Sequence, residues 1–353
     1  MPAALTNSNE RLPIGGWPRA WLLAAALFAI IMGTWEAVWR LKGWLPTVES
    51  NQESWVLARE SIRPNSTVLT GTSRIQGAID PDVWASVRGG DVPVQLAVAG
   101  GSPIPVLESL SADTTFHGLV IADMLPFYAF DVSHDAQAVT LEYLRAYAYA
   151  EHSPAKRWEA YLRTHIAGHF VYRRANLLPG DLIPALRAGT LRTPPAYIQR
   201  PDRYHPLLFR QMHIASNEPA VLDSSKFAHL RRVTRPATGA RLDSLMARIE
   251  RSVHQIQARG GRVAFVFFEP CGGRRPVEEE LYPKDQYWKR LTAMQPAYSI
   301  DSDDYPVIST LPCFDGSHID QNDAPAVTRQ VAALVSGPPS VAVSDSATTP
   351  VAR

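Results

Sequence analysis

Residues 66–73 of this chain read STVLTGTS, an apolar strand over 66–69 that ends on a turn containing a glycine. Similar apolar runs recur at 92–98, 118–124 and 262–268, and short helical patterns separate them. Buried parallel strands read as continuous apolar runs, because helices cover both faces of their sheet. The sequence therefore predicts an α/β domain built on a parallel sheet.

The composition is that of a globular protein around this pattern. Of 353 residues, 46% are apolar and 20% are charged, which suits one large domain with a real core. We place this domain at 45–335, with a mostly helical insertion at 127–235 and a disordered tail at 336–353. The net charge of +1 and the scattered basic residues exclude the positive surface of a nucleic-acid-binding protein.

The N-terminal part contains one long apolar segment. Residues 17–39 read WPRAWLLAAALFAIIMGTWEAVW, with no charge between Trp21 and Trp35. About 20 such residues cross a hydrocarbon core of roughly 30 Å, and tryptophans at both ends favour the two interfaces. We predict a transmembrane anchor at 17–40 after a short stub at 1–16. A cleaved signal peptide is the alternative, but no small-x-small cleavage site follows. The flanking basic residues are nearly balanced and leave the direction open.

Polar residues suited to acyl chemistry follow the predicted strands. Ligands of open α/β sheets bind beyond the carboxyl ends of the strands, so we expect these residues to meet at one edge. A hydroxyl attacks a carbonyl well only when a base removes its proton and donors stabilise the oxyanion. We predict Ser73 as the nucleophile, His318 as the base and Asp315 as the group that orients His318. The backbone N–H groups of Ser73 and Gly100 would form the oxyanion hole.

Three further residues at this edge are candidates for binding substrate: Arg74, Gly101 and Glu269. Arg74 could hold an anionic or hydroxyl-rich substrate, and a structural ion pair is an equal alternative. His165 and His169 have the spacing of zinc ligands on one helix face, but no third ligand is evident. We therefore predict neither a metal nor a cofactor.

Together these motifs resemble the SGNH (GDSL-like) hydrolase superfamily. The GTS at 71–73 stands where the family has Gly-Asp-Ser, and the LAVAG at 96–100 is similar to a block whose last glycine donates to the oxyanion. The DGSH at 315–318 matches the family's terminal Asp-x-x-His. The resemblance covers roughly 64–126 and 240–335, and it implies a flavodoxin-like parallel sheet sandwiched by helices.

One block departs from the family pattern. After the third strand the family has Gly-x-Asn-Asp, whose Asn is a third oxyanion donor, whereas residues 121–126 read IADMLP here. Losing one such donor costs about 10²–10³ in rate, and an ionised Asp123 can only accept hydrogen bonds. This pattern is more similar to membrane-anchored SGNH-like proteins of bacterial envelope polysaccharide modification, some of which move acetyl groups.

The resemblance implies a membrane-anchored serine esterase or acyl (acetyl) transferase that acts on an acylated cell-envelope glycan. It places the domain on the outer, periplasmic side of the inner membrane and the stub in the cytoplasm, and a membrane-embedded acyl-transfer partner is compatible with it. The alternative is a catalytically inactive scaffold that binds a glycan or a membrane partner enzyme. An unrelated flavodoxin-like binding module would leave Ser73 and His318 far apart.

Cys271 and Cys313 are the two cysteines of the chain. In a reducing compartment two free thiols are expected, whereas in an oxidising one they could form a disulfide that closes a loop of about 40 residues. The outward-facing location implied by the resemblance favours the disulfide. Such a bond would tether the loop of Asp315 to the sheet edge.

Overall fold

The structure, a computed structural model, describes residues 17–48, 52–133, 135–190 and 193–336. The predicted stub at 1–16 and, apart from Ser336, the predicted tail lie outside the described residues. The chain divides into two compact units, the smaller formed by Met1–Pro46 with Phe170–Pro194 and the larger by Thr47–His169 with Pro195–Arg353.

The larger unit is built on one parallel sheet. Its strands are β1 (Thr67–Thr70), β2 (Val94–Gln95), β3 (Leu119–Asp123), β4 (Arg262–Phe267) and β5 (Tyr298–Asp301). Their order is β2-β1-β3-β4-β5, and every neighbouring pair is parallel. The predicted α/β class is therefore confirmed. The order reverses between β1 and β3, where such sheets open a crevice at their carboxyl ends.

The α-helices of the described residues fall in both units. In chain order they are α1 (Trp17–Leu41), α2 (Gln52–Glu60), α3 (Ser73–Ala78), α4 (Pro81–Val87), α5 (Ile104–Ala112), α6 (Pro126–Ala129), α7 (Ala136–Glu151), α8 (Pro154–His169), α9 (Pro179–Arg187), α10 (Pro219–Leu222), α11 (Leu230–Val233), α12 (Gly239–Ala258), α13 (Arg274–Leu281), α14 (Trp288–Thr292), α15 (Pro306–Ser309) and α16 (Ala324–Leu334).

Both faces of the sheet are buried, because successive strand residues point to opposite sides. On β3, Val120 belongs to an apolar cluster that includes Ile249 of α12. Its neighbour Ile121 lies in a second cluster with Trp84 of α4 and Val331 of α16. This two-sided burial explains why the strands lack the polar alternation of a half-exposed sheet.

The second strand is shorter than predicted. Hydrogen bonding to β1 nevertheless continues, since the Val98 N–H donates to the Gly71 carbonyl at 3.0 Å. On its outer edge β2 meets a side chain instead of another strand. The Arg203 guanidinium donates to the carbonyls of Gln95 at 3.1 Å and Ala97 at 2.9 Å.

Residues 127–235, predicted as a mostly helical insertion, contain the helices α7, α8, α9, α10 and α11. None of the described residues between 188 and 218 is helical. Four prolines without a backbone N–H fall within 194–206, and residues with positive φ follow at 203, 213 and 217. Both features oppose a regular helix.

The smaller unit contains α1, which corresponds to the predicted anchor at 17–40. It has 25 residues and a window of mean hydropathy 1.8, so it is long and apolar enough to span a membrane. In the other part of this unit, Val171 and Leu182 pack on the carboxyl end of α1, where they are buried with Trp39.

Candidate active site

A tight turn after β1 presents Ser73 as the first residue of α3. Gly71 has a φ of +135°, and a Cβ there would lie 2.6 Å from the Cβ of Asp123, so glycine is required. Thr72 is the N-cap: its Oγ1 accepts the N–H of Arg74 at 3.2 Å and donates to Asp123 Oδ2 at 2.7 Å. The position of Ser73 is therefore fixed by its connection to β1 and also by the contact of Thr72 with Asp123 of β3.

Ser73, His318 and Asp315 are joined by hydrogen bonds. Ser73 Oγ lies 2.8 Å from His318 Nε2, and His318 Nδ1 lies 2.7 Å from Asp315 Oδ2. The other oxygen of Asp315 accepts the N–H groups of Ser317 and His318, each at 2.8 Å. The structure thus brings together the three residues predicted as nucleophile, base and orienting acid, although 242 positions separate Ser73 from Asp315.

The Asp315 carboxylate is held in its charged form. Its partial removal from water would by itself raise its pKa, but the hydrogen bond and charge of His318 and the two backbone donors outweigh this effect. The pKa of Asp315 is accordingly below its ordinary value. A charged acceptor at Nδ1 keeps the proton on that nitrogen and leaves Nε2 free to accept one from Ser73.

The two predicted oxyanion donors occupy neighbouring strand ends. Ser73 starts α3 after β1, and Gly100 follows β2 in a turn with a φ of +72°. That turn is closed by the Gly101 N–H, which donates to Val98 O at 2.8 Å. Within the described part of the chain, neither the Ser73 nor the Gly100 N–H has an acceptor. Both remain available to a ligand.

Asp123 does not take the place of the missing Asn. Its side chain is fully buried beneath the Gly71 turn, where Thr72 is its hydrogen-bond donor. Burial raises the pKa of Asp123 to about 6, against the opposing effects of Thr72 and Arg74. This carboxyl therefore supports the nucleophile turn and does not face a substrate.

Replacing Asp123 by Asn is expected to change how stability depends on pH. Between about pH 4 and pH 6 the native carboxyl keeps a proton that the unfolded one loses, so wild-type stability falls as pH rises through this window. Asp123→Asn lacks this titration. Its free energy of unfolding relative to wild type should therefore rise by about 2–3 kcal/mol from pH 4 to pH 7. Urea unfolding at each pH measures the difference.

Asp82→Asn is the matched control for this prediction, because the pKa of Asp82 is lowered, chiefly by its hydrogen bond with Arg200. That variant should lose stability relative to wild type as pH rises, the opposite direction. If the difference in free energy of unfolding between Asp123→Asn and wild type stays constant with pH, the carboxyl of Asp123 does not have a raised pKa in the folded protein.

Arg74 is buried, with only 3% of its surface exposed. Its guanidinium donates to the Phe268 carbonyl at 2.5 Å and to Ser317 Oγ at 3.0 Å, and it pairs with Glu278 at 3.6 Å. Burial lowers its pKa, and the Glu278 charge opposes this. These partners favour the structural ion pair over the predicted substrate contact. Arg74 joins the nucleophile turn to the loop that carries His318.

Gly101 also has a role different from the predicted substrate contact. Its N–H is used inside the turn, and a Cβ at this position would lie 2.6 Å from Thr140 Oγ1. The residue is buried, so a glycine is needed for packing against α7. Gly101 thus shapes the loop that presents Gly100, and its contact with substrate stays a prediction.

Glu269, the third predicted substrate contact, follows β4 and faces Lys284. The Lys284 ammonium lies 2.5 Å from Glu269, 2.7 Å from Asp301 and 3.0 Å from Asp303. Burial raises the pKa of Glu269 to about 7, with Lys284 opposing. The three carboxylates are close enough to share a metal ion, but the Lys284 ammonium already contacts all three and Arg275 also pairs with Asp303. The cluster therefore carries no metal assignment.

A pocket of about 270 Å³ opens beside His318. Polar groups such as Glu269 and Asn217 line it together with the apolar side chains of Ile308 and Leu311. Such a mixed lining suits a ligand that has hydroxyl and aliphatic parts. Of the predicted substrate contacts, Arg74 and Glu269 reach this pocket, whereas Gly101 does not.

Cys271 and Cys313 form a disulfide in the wall of this pocket. Cys271 follows β4, and Cys313 precedes Asp315 by two residues. The Cys271 N–H also donates to the Gly316 carbonyl at 3.1 Å. This disulfide and this hydrogen bond add to the Arg74–Ser317 contact in holding the loop with Asp315 and His318 to the sheet edge.

Three residues near the site were missed by the sequence patterns. Gln76 and Arg203 both donate to the Ala97 carbonyl and so hold the strand end that leads to Gly100. His205 lies close enough to His318 for the two rings to interact electrostatically, and burial lowers its pKa to about 4. Neither ring nitrogen of His205 has a hydrogen-bond partner among the described residues. No motif marks these residues in the sequence.

His165 and His169 lie on α8, as the helical spacing predicted. Their Nδ1 atoms bond the carbonyls of Tyr161 at 2.8 Å and His165 at 2.7 Å. These bonds within the helix account for one nitrogen of each ring without a metal.

Comparison with known proteins found no match, either among protein-family models or among curated proteins. The roles of Ser73, His318 and Asp315 therefore rest on their geometry and on the sequence motifs that contain them.

Proposed function

We propose that this chain is a membrane-anchored SGNH-type serine esterase or acyl (acetyl) transferase that acts on a cell-envelope glycan. The single observation that supports it most is the continuous hydrogen-bond series from Ser73 through His318 to the charged Asp315. It has the geometry expected of an activated serine nucleophile.

In the proposed acylation step, the Ser73 hydroxyl gives its proton to His318 Nε2 while Oγ attacks the ester carbonyl. The negative charge that develops on the carbonyl oxygen is received by the N–H groups of Ser73 and Gly100. The imidazolium then returns the proton to the leaving oxygen, and the C–O bond of the ester breaks. The product is an acyl group on Ser73 and a free alcohol.

In the second step an acceptor hydroxyl attacks the acyl-serine while His318 takes its proton. The acyl C–O bond to Ser73 Oγ then breaks, and His318 returns the proton to that oxygen. Water gives hydrolysis, whereas a glycan hydroxyl gives acyl transfer. The pocket beside His318 supports a sugar as the acceptor, because polar Asn217 and apolar Ile308 and Leu311 line an opening of about 270 Å³. A rate limited by the missing third oxyanion donor is more compatible with transfer than with fast hydrolysis.

The proposed location is the outer side of the inner membrane, with α1 as a single-pass anchor. The length and apolar composition of α1 support the anchor. The Cys271–Cys313 disulfide supports the oxidising side, because such bonds persist outside the cytosol. A membrane-embedded protein that delivers the acyl group is the partner this location favours.

A catalytically inactive scaffold is the second candidate. The absence of an Asn from 121–126 favours it, since the family's third oxyanion donor is lost. Such a protein would bind a glycan or a membrane enzyme through the same pocket and leave esters intact.

Labelling of the full chain in detergent by a fluorophosphonate probe tests the proposal. The probe reacts with activated serines, so wild type should be labelled and Ser73→Ala should not. Ser86→Ala, which removes an exposed serine of α4, is the matched control and should react like wild type. Equal labelling of wild type and Ser73→Ala would remove Ser73 as the nucleophile. No labelling of a folded wild type would favour the inactive scaffold.

A further inference from the structure

The segment 170–187, here named the collar, is attached to the carboxyl end of α1. The Glu36 carboxylate of α1 accepts the N–H of Val171 at 2.9 Å and that of Tyr172 at 3.1 Å. Arg40 also donates to Glu36, at 2.7 Å. Glu36 and Val171 are 135 positions apart in sequence, so the collar uses the last turns of a distant helix as its hydrogen-bond acceptor.

Packing fixes the same arrangement. Leu177 and Leu182 of the collar are buried against Trp39 and Trp44, and Trp35 packs on this cluster. The indole rings of Trp39 and Trp44 meet edge to face, with centroids 6.1 Å apart. When α1 spans a bilayer, Trp35 and Trp39 lie where indole rings favour the interface. The collar therefore lies at that level too.

The outward side of the collar is apolar, and none of the described residues covers it. On α9, Leu182 is buried, but Ile183 is 46% exposed and Leu186 is 56% exposed. Leu178 and Phe170 add exposures of 38% and 43%. The apolar stripe of α9 is thus wider than the part that packs on α1. An excess of this kind is typical of helices that lie in a membrane interface.

The charge around this apolar side suits a lipid surface. The described residues of 36–48 and 170–190 contain five basic side chains and two acidic ones. The basic residues are Arg40, Lys42, Arg173, Arg174 and Arg187, and the acidic ones are Glu36 and Asp181. Arg173 and Arg187 are exposed, so they can meet the phosphates of anionic headgroups.

We propose that the collar is a second membrane contact, an interfacial element that lies in the plane of the bilayer beside α1. Ile183 and Leu186 insert at the boundary between headgroups and acyl chains, and the exposed arginines stay among the headgroups. The collar restrains rotation and tilt of the end of α1. This inference rests on the proposed anchoring by α1 and is independent of the proposed catalysis.

Fluorescence of a depth-sensitive label in the full chain tests this inference. The native cysteines are joined as a disulfide, so Ile183→Cys adds the one thiol that an NBD probe can label. The protein is placed in vesicles of three parts phosphatidylethanolamine to one part phosphatidylglycerol. Nitroxide lipids that carry the quencher either near the headgroup or deep in the acyl chain report the depth. Ile183 is exposed, so the variant should fold.

Label at position 183 should be quenched at least about twofold more by the shallow nitroxide than by the deep one, as an interfacial helix requires. The control carries the same probe at Leu27→Cys in α1, a residue that is 59% exposed. Leu27 should be quenched chiefly by the deep nitroxide, the opposite of position 183.

Three results would overturn the inference, and they differ in what else they affect. A water-like, unquenched signal at 183 beside a deeply quenched Leu27 would reject the collar contact while the anchor stands. No quenching at either position would reject the anchor as well. A blue-shifted signal at 183 that disappears on dilution, without lipid quenching, would assign this surface to a second copy of the chain and equally overturn the proposal.

Discussion

Ser73→Ala and His318→Ala are each expected to lower kcat/KM for an ester substrate by about 10⁴–10⁶. Either change removes one partner of the Ser73 Oγ–His318 Nε2 hydrogen bond of 2.8 Å, so the proton can no longer leave the nucleophile. Because the two residues act as one unit, the double variant should be no slower than either single variant. Hydrolysis of p-nitrophenyl acetate by the full chain in detergent measures all three.

Asp315→Asn separates the charge of this residue from its structural role. The Asn oxygen can still accept the N–H groups of Ser317 and His318, so the loop keeps its shape. Its amide nitrogen, however, presents a donor to His318 Nδ1 and favours the wrong tautomer. A loss of about 10²–10⁴ in kcat is expected. If the losses in log kcat/KM of Ser73→Ala and His318→Ala add up in the double variant, the two residues do not act as one unit. The control Ser86→Ala should keep kcat/KM within about twofold of wild type.

The parts of the fold that sequence predicts are those fixed by burial. The strands at 118–124 and 262–268 have both faces covered, so apolar runs are the one pattern that suits them. Turn chemistry likewise marks the carboxyl ends of β1 and β2, because Gly71 and Gly100 adopt positive φ. Since parallel strands end at one edge, residues after them are expected to meet there, and Ser73 and His318 do.

What sequence does not predict are contacts between distant segments that lack a motif. Arg203 is fully buried with only carbonyl and hydroxyl partners, an environment that no local pattern for arginine indicates. The role of Arg74 depends on Glu278 and Ser317, which lie more than 200 positions away. Because Arg74 is almost fully buried, its guanidinium serves the structure of the site and is not exposed to a substrate. Tertiary packing decides whether a side chain is exposed, and local sequence does not report it.

The collar is a further example of this limit. Its apolar residues in 177–186 are spaced like those of an ordinary core helix, so the pattern alone predicts burial against protein. The exposed Ile183 and Leu186 distinguish it, and the bond between Glu36 and Val171 shows where it lies. Hydropathy identifies α1 because its apolar signal is continuous over 25 residues. The nine residues of α9 are too short to give a comparable hydropathy signal.

Replacing both cysteines is expected to lower stability and activity together. The Cys271–Cys313 bond spans 42 positions of sequence, and loss of such a link costs about 3–4 kcal/mol through the greater entropy of the unfolded chain. Cys271→Ser with Cys313→Ser should therefore shift the urea midpoint downward. Fluorophosphonate labelling should also become slower, because Cys313 holds the loop that begins two residues before Asp315.

A second pair of substitutions separates the covalent link from the packing of the sulfur atoms. Cys313 is 4% exposed, so Cys271→Ala with Cys313→Val keeps an apolar side chain at the buried position. If the link itself stabilises the loop, both double variants lose stability and labelling rate to a similar extent. If packing dominates, the Ala/Val pair stays close to wild type. Counting free thiols in denatured, unreduced wild type comes first. Two thiols would mean that the bond does not form. That result would contradict both the expected loss of stability and the proposed restraint on the loop of Asp315.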